Sequence, residues 1–323
     1  MWWDKINEIG PRYGYDPKES KSILVLKNRS QRKEAEALFG TKGVKITTSG
    51  ERHLGAVIGT DAFKQLYVKE KIGCWIADVK QLSQIAVDEP QAALSAYNIG
   101  LSQRWKFVQR TIEGTSNLFV PLEEVIRNEF IPAICGCEPS DMERRMFALP
   151  YRYGGLGIVN PVMAADGEYQ RSLKITEDLT NLIREQEMDF LKFDKEKMRE
   201  TKNKESQKKE KDLKKEQENI CNEVDEKLKR LLLAAGEKGA SSWLSALPLK
   251  KLGYTLNKQE FKDAISLRYG WEVPGMPRFC GCGKPNSMDH ILTCKKRGYV
   301  SMRHNVLRNT EAKLMEKVQR RQD

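Results

Sequence analysis

Up to residue 59 the chain alternates short apolar runs with turn signals. Trp2, Trp3, Ile6 and Ile9, broken by Asp4, Lys5 and Glu8, recur at helical spacing. From Lys21, which opens it, to Lys27 the run SILVLK is a short strand apolar on both sides, and residues 32–39 follow as a helix that Gly40 can end. Val44, Ile46 and Thr48 alternate, Ser49 and Gly50 offer a turn, and Leu54, Ala56 and Ile58 alternate again. The pattern predicts strand, helix and hairpin.

After Thr60, a good helix N-cap, the period changes. Phe63, Leu66, Tyr67, Ile72, Trp75, Ile76, Val79 and Leu82 recur at three and four, and Asp88 with Pro90 opens a helix carrying Ala93, Tyr97, Leu101, Trp105 and Val108. Further helices are predicted over 118–131 and 141–149. A turn then follows at Gly154, Gly155 and Gly157, and the helical pattern restarts after Asn160 and Pro161. Residues 60–188 therefore read as a helical bundle.

From 192 to 218 most residues are charged, with Glu and Lys spaced to share a helical face and with no apolar stripe. Charge without such a stripe buries nothing, so residues 189–222 read as a solvated helix or linker acting as an interdomain spacer; the other reading is a coiled-coil or RNA-binding arm. Helical pattern resumes over 223–235, 243–247 and 259–269, the last capped by Asn257 and ended by Gly270. The chain closes on a basic helix from 301 to about 321 with a charged tail, and looks cut rather than finished. The fold class expected is α+β and predominantly α-helical. It comprises a small β-containing segment (1–59), a helical domain (60–188), a charged linker (189–222) and a basic helical module (223–323).

Composition narrows the partners. The 323 residues carry 56 Lys and Arg against 45 Asp and Glu, a net +11, which favours polyanions such as RNA, DNA or an anionic membrane surface, nucleic acid first. With 39% hydrophobic and 31% charged residues, part of the length must be solvated. No apolar run approaches the ~18 residues needed to span a bilayer, and residues 1–10 lack the charged and apolar regions of a signal peptide. A chain in the nucleus or cytoplasm, not secreted and with no membrane partner, is expected.

The seven cysteines include a group with metal-ligand spacing. Cys280 and Cys282 flank a single glycine, seven residues separate Cys282 from His290, and three separate His290 from Cys294. Zinc takes four such ligands as a tetrahedron, and the last two would share one face of a helix. Four protein ligands make a closed, structural zinc site; the alternative is small buried cysteines beside a surface histidine. Around the group lie Arg278, Lys284, Lys295, Lys296, Arg297, Arg303, His304 and Arg308, a phosphate-binding surface or simply a solubilising one. Cys74, Cys135, Cys137 and Cys221 read as buried or incidental. Only three histidines exist, and no Ser-His-Asp arrangement, Walker-type loop or Asp-Asp hairpin can be assembled.

The order of these features resembles the reverse transcriptases of non-LTR retrotransposons. The opening stretch WWDKINEIGPRYGYDPKESKSILVLK looks like the segment after their catalytic Asp-Asp turn, which implies that Lys21 lies near the incoming nucleotide. The hairpin GERHLGAVIG resembles their primer grip, implying that Arg52, His53, Leu54 and Gly55 face a primer end. Residues 60–150 are similar to the thumb, LPYRYGGLGIVNP to a stretch that recurs after it, and the Cys-Cys-His-Cys group to the zinc knuckle of the branch with a C-terminal restriction-like endonuclease. The resemblance implies RNA-directed DNA synthesis in the intact protein, with magnesium as its cofactor and template-primer and target DNA as partners. It also implies that the metal-binding aspartates would lie before Met1, and the endonuclease acids after Asp323, in segments the intact polyprotein would supply. This chain would then bind RNA or DNA without polymerising alone. The competing expectation is a co-opted or degenerate element that works as a helical protein-interaction scaffold.

Overall fold

The computed structural model describes residues 2–185, 194–297 and 299–319, and the chain divides into two compact units, Met1–Lys258 and Gln259–Asp323. The first unit opens with α1 (Trp2–Ile9), β1 (Ile23–Val25), α2 (Arg32–Phe39) and β2 (Lys45–Thr47). Strands β1 and β2 pair in parallel, Leu24 opposite Ile46, with α2 as the crossover that parallel strands require. The hairpin itself is β3 (Gly50–His53) with β4 (Ala56–Gly59), Arg52 opposite Val57. The expected partnership of 44–48 with 54–58 is thus corrected. The turn sits at Leu54 and Gly55, both with positive φ (47° and 84°), the two-residue geometry that matches strand twist. Alternation marks which residues extend, not which strand each one meets.

Helix α3 (Asp61–Asp88) starts where the cap predicts, Thr60 Oγ1 accepting from the Phe63 N–H at 3.3 Å. It packs on α4 (Pro90–Ala96), α5 (Ser102–Thr111), α6 (Val120–Val125) and α7 (Ile131–Cys135) around an aromatic core. Trp75 lies 6.0 Å from Trp105 and 6.3 Å from Phe119, and Tyr97 stacks on Phe130 at 4.6 Å. Two π-helical turns, Tyr97–Leu101 and Ile126–Phe130, interrupt this pattern. Simple periodicity does not anticipate them. Helix α8 (Asp141–Ala148) begins on a Ser140–Glu143 capping box, and α9 (Pro161–Arg184) on Asn160, whose side chain accepts from the N–H groups of Val162 and Met163.

Between α8 and α9 the chain folds back on itself. Gly154 and Gly157 take φ of 86° and 70°, whereas Gly155 is required by contact, because a Cβ there would lie 2.0 Å from the Leu149 carbonyl oxygen. Helix α11 (Glu226–Ala235) closes over this turn, Leu232 meeting Gly154, and α12 (Ser242–Ser245) follows. Residues 226–258, grouped by sequence with the knuckle, therefore lie in the first unit.

The charged segment departs from expectation. Over its described part it is the helix α10 (Lys195–Glu223), packed along α9 and α8 within the first unit rather than a free spacer. Its inward positions Met198, Thr201, Glu205, Glu210, Leu213, Glu216 and Ile220 recur at helical spacing, but most are polar. Complementary charges hold it: Arg152 and Tyr153 meet Glu210, Arg145 meets Glu216 and Glu223, and Lys174 meets Glu205. A search for apolar stripes misses a face built this way. The limit expected at 188–189 lies outside the described residues.

The second unit contains α13 (Lys258–Tyr269) for most of its length, a looped segment around the cysteines, α14 (Met288–Thr293) and α15 (Tyr299–Gln319). Phe261, Ile265 and Tyr269 on α13 are buried, as are Cys280 and Cys294. The expected end of α15 near 321 lies outside the described residues.

Candidate metal centre and basic surfaces

The knuckle is assembled by a short turn facing a capped helix. Phe279 and Pro285 form an isolated antiparallel bridge, the Cys280 N–H donates to the Lys284 carbonyl at 2.8 Å, and Gly283 turns the chain at φ 88°. This hairpin aims Cys280 and Cys282 the same way. Opposite it, the Ser287 hydroxyl accepts from the His290 N–H at 3.1 Å to start α14, and Cys294 closes that helix with its N–H on the His290 carbonyl at 2.8 Å. His290 and Cys294 are one turn apart, as their spacing predicts.

The four donor atoms all lie within 4.8 Å of one another, with Cys280 Sγ 3.6 Å from Cys294 Sγ and Cys282 Sγ 3.1 Å from His290 Nε2. Tetrahedral thiolates bound at ~2.3 Å stand about 3.8 Å apart, so the cluster could hold a metal ion and is compatible with structural zinc. The electrostatics favour ligation. The backbone N–H of Lys284 and the surrounding thiols and imidazole pull the Cys282 thiol down to about 6. Cys280 moves upward, its burial and thiol neighbours outweighing the N–H of Cys282. Thiolate character is what a metal requires of these ligands.

The knuckle also fixes its cations. Arg278 and Lys284 sit on the two rungs of the turn through their carbonyls, which accept from Asn286 and Cys280. Lys295 and Lys296 follow Cys294 directly in a 3-10 turn, and Arg303, His304 and Arg308 lie on α15. Apart from Arg297, whose side chain lies outside the described residues, all of these side chains are exposed.

Lys21 and the hairpin residues are placed differently. Lys21 is exposed and ends a 3-10 turn (Glu19–Lys21) rather than opening the strand, which begins at Ile23. Arg52 and His53 are exposed on β3, and the Gly55 carbonyl accepts from the Tyr67 hydroxyl at 2.7 Å. Arg52 and Lys71 both lie against the Tyr67 ring, at 6.0 and 5.6 Å. Phe107 stands 3.4 Å from where a Cβ on Gly55 would lie, so the turn tip is pinned to the bundle.

One constellation was not legible in the sequence. A cleft of about 1070 Å³ is lined by α5, the turn before α9, α9, α10 and the segment after α11. Glu168 is buried in its wall and receives Arg110 at 3.1 Å, Arg171 at 2.7 Å and Lys209 at 2.8 Å. Burial pushes that carboxyl up, but Lys209 and Arg171 outweigh it and hold it at about 2. The only local hint is the glycine-rich turn that forms one rim.

No helix among the described residues is long and apolar enough to cross a membrane. Comparison with protein families, with curated proteins and with solved structures finds no match.

Proposed function

We propose that the chain binds nucleic acid through its second unit. In this reading zinc holds Cys280, Cys282, His290 and Cys294, and the surrounding cations contact phosphates. The observation that carries it is the backbone coupling between ligands and cations. The short turn that carries two of the four ligands leaves Arg278 and Lys284 in solvent, Lys295 and Lys296 follow Cys294 directly and are exposed, and the next helix adds the exposed Arg303, His304 and Arg308. A rigid cationic surface releases condensed counterions when it meets a polyanion. The resemblance to non-LTR reverse transcriptases gives this surface its context: RNA or DNA of a template-primer or target site. The chain lacks an Asp-Asp pair for magnesium, so it binds without polymerising on its own.

Fluorescence anisotropy with a labelled RNA or DNA duplex tests the reading. Affinity should fall by about tenfold or more between roughly 50 and 200 mM salt. The double substitution Lys295→Gln with Lys296→Gln should weaken binding and reduce that slope by about one to two. Salt-independent affinity would overturn it.

A second reading, the helical protein-interaction scaffold, is favoured by α15 alone, where Val306, Leu307, Leu314 and Met315 are all more than half exposed. Absence of nucleic-acid binding, together with a defined protein partner retained after nuclease treatment and lost on Leu307→Asp, would select it.

A further inference from the structure

We propose that the cleft beside Glu168 is a phosphate-binding site for a nucleotide-sized ligand, separate from the knuckle and independent of its function. Around Glu168 the cations outnumber the carboxylates. Arg110, Arg171 and Lys209 all converge on one buried carboxylate, and Lys106 lines the same cleft. Elsewhere along the wall the cations are matched in number by carboxylates: Arg144 has Glu123, Arg145 has Glu216 and Glu223, Arg152 has Glu210, and Lys238 shares the lining with Asp212 and Glu237. Around Glu168 they are not.

Lys106 is the most informative member. It is half-buried, donates to the Gln103 side chain at 3.1 Å, and pairs with no carboxylate among the described residues. Burial and the nearby Lys209 and Arg110 lower its pKa, and the single Glu168 carboxylate, already shared among three cations, offsets only part of this. A desolvated ammonium facing other cations is costly unless an anion joins them. A phosphate supplies the missing charge with several acceptor oxygens, which guanidinium forks and ammonium groups recognise in combination.

The shape of the cleft points the same way. At about 1070 Å³ it exceeds what a bare ion needs, and Leu149, Val159, Met163 and Leu213 give it an apolar flank. Asn98, in the first π-helical turn, donates from Nδ2 to the Tyr151 hydroxyl at 2.6 Å and to the Leu156 carbonyl at 2.9 Å. Its Oδ1 is buried with no hydrogen-bond partner among the described residues. Asn98 lines the cleft beside the apolar flank. The helix bears a second adaptation. Gly167 lies one turn before Arg171, whose Nη1 stands 3.3 Å from where a Cβ on Gly167 would be, so the missing side chain is where the guanidinium folds.

Phosphate could arrive on a free nucleotide or on a nucleic-acid strand, and the experiment separates them. Pyrophosphate, adenosine 5′-monophosphate and a short single-stranded RNA are titrated into the full chain, with binding followed by calorimetry. Saturable binding of at least one probe, weakened about tenfold by Lys106→Gln and restored by Lys106→Arg, is expected, since the substitution removes one charge-assisted hydrogen bond. Binding of pyrophosphate or the mononucleotide assigns a free ligand. Binding of the oligonucleotide alone assigns a strand phosphate to the cleft where Lys106→Gln weakens it in a chain already carrying Lys295→Gln with Lys296→Gln; oligonucleotide binding indifferent to Lys106→Gln overturns the proposal. No saturable binding of any probe overturns the proposal, as does equal binding by wild type and by Lys106→Gln with Arg171→Gln. Circular dichroism confirms that the variants fold. Lys295→Gln with Lys296→Gln should leave the pyrophosphate response unchanged, so failure of the knuckle reading and failure of this one give different results.

Discussion

Arg144 grips Glu123 at two points, Nε to Oε1 at 2.6 Å and Nη2 to Oε2 at 2.8 Å, while its remaining Nη1 donates to the Ile158 carbonyl at 2.8 Å. The arginine is 5% and the glutamate 13% exposed, so one fork ties α8 to α6 and to the segment leading into α9. Arg144→Met should therefore strand a buried carboxylate and cost about 3–5 kcal/mol in urea unfolding. Adding Glu123→Leu should recover much of that loss. A single-variant cost under about 1 kcal/mol would show that the fork is dispensable.

Tyr97 presents the opposite case. Its ring is buried on Phe130 and Trp105, yet its hydroxyl has no hydrogen-bond partner among the described residues, and burial raises its pKa. Tyr97→Phe keeps the stacking and removes the unsatisfied group, so a gain of about 1 kcal/mol is expected in the same unfolding assay. A comparable loss would reveal a partner such as buried water.

Two glycines should respond with opposite signs to alanine. At Gly155 the new Cβ meets backbone oxygens of Leu149 and Met146 at 2.0 and 2.6 Å, which cannot yield without opening the turn; a loss of about 3 kcal/mol or more is expected. At Gly167 only the flexible end of Arg171 is close, so helix propensity dominates and Gly167→Ala should gain up to about 1 kcal/mol. Thermal melts of the two variants decide it.

Glu168 predicts the acid limb of stability. Its folded pKa is about 2 against an ordinary 4.5, so the contribution is fully present above 4.5 and is lost as pH falls from there towards 2. Solvent around the half-exposed Arg110 and Lys209 screens the interaction, leaving about 1–2 kcal/mol. The difference in unfolding free energy between wild type and Glu168→Gln should accordingly shrink between pH 5 and pH 2.5. A constant difference would place the stabilisation elsewhere.

Metal analysis tests the ligand set directly. The purified chain should carry about one equivalent of zinc and Cys282→Ser should lose it, because three ligands rarely hold a structural ion. Chelation should also abolish the amide protection of residues 280–294. Unchanged zinc in Cys282→Ser would remove Cys282 from the site.

Several features were legible from local chemistry. The Thr60 cap, Asn160 before Pro161 and the one-turn spacing of His290 and Cys294 depend on residues a few positions apart, so the sequence specifies them before any packing occurs. The four knuckle ligands were legible for the same reason, lying within one short segment whose turn and helix bring them together. The predominance of helix likewise follows from the spacing of apolar residues between 60 and 149.

Other features depended on distant partners. Whether 44–48 joins the hairpin or pairs with β1 is decided by which edge is available, and period-two alternation is identical in both cases. Helix α10 reads as a solvated spacer because its inward face is polar, and only folding shows that Lys209 meets Glu168 41 positions away and that Arg145 meets Glu223 78 positions away. The cleft is the extreme example. Arg110 and Glu168, 58 positions apart, carry no pattern that links them, since charge pairing has no period along a chain. The sequence by itself determined the helices, their caps and the knuckle, all of which close over short chain distances. Tertiary structure alone decided strand partners, the docking of the charged helix and the surplus of cations around one buried carboxylate, because the first depends on which strand edge is free and the others on Coulombic contacts between residues far apart in the chain.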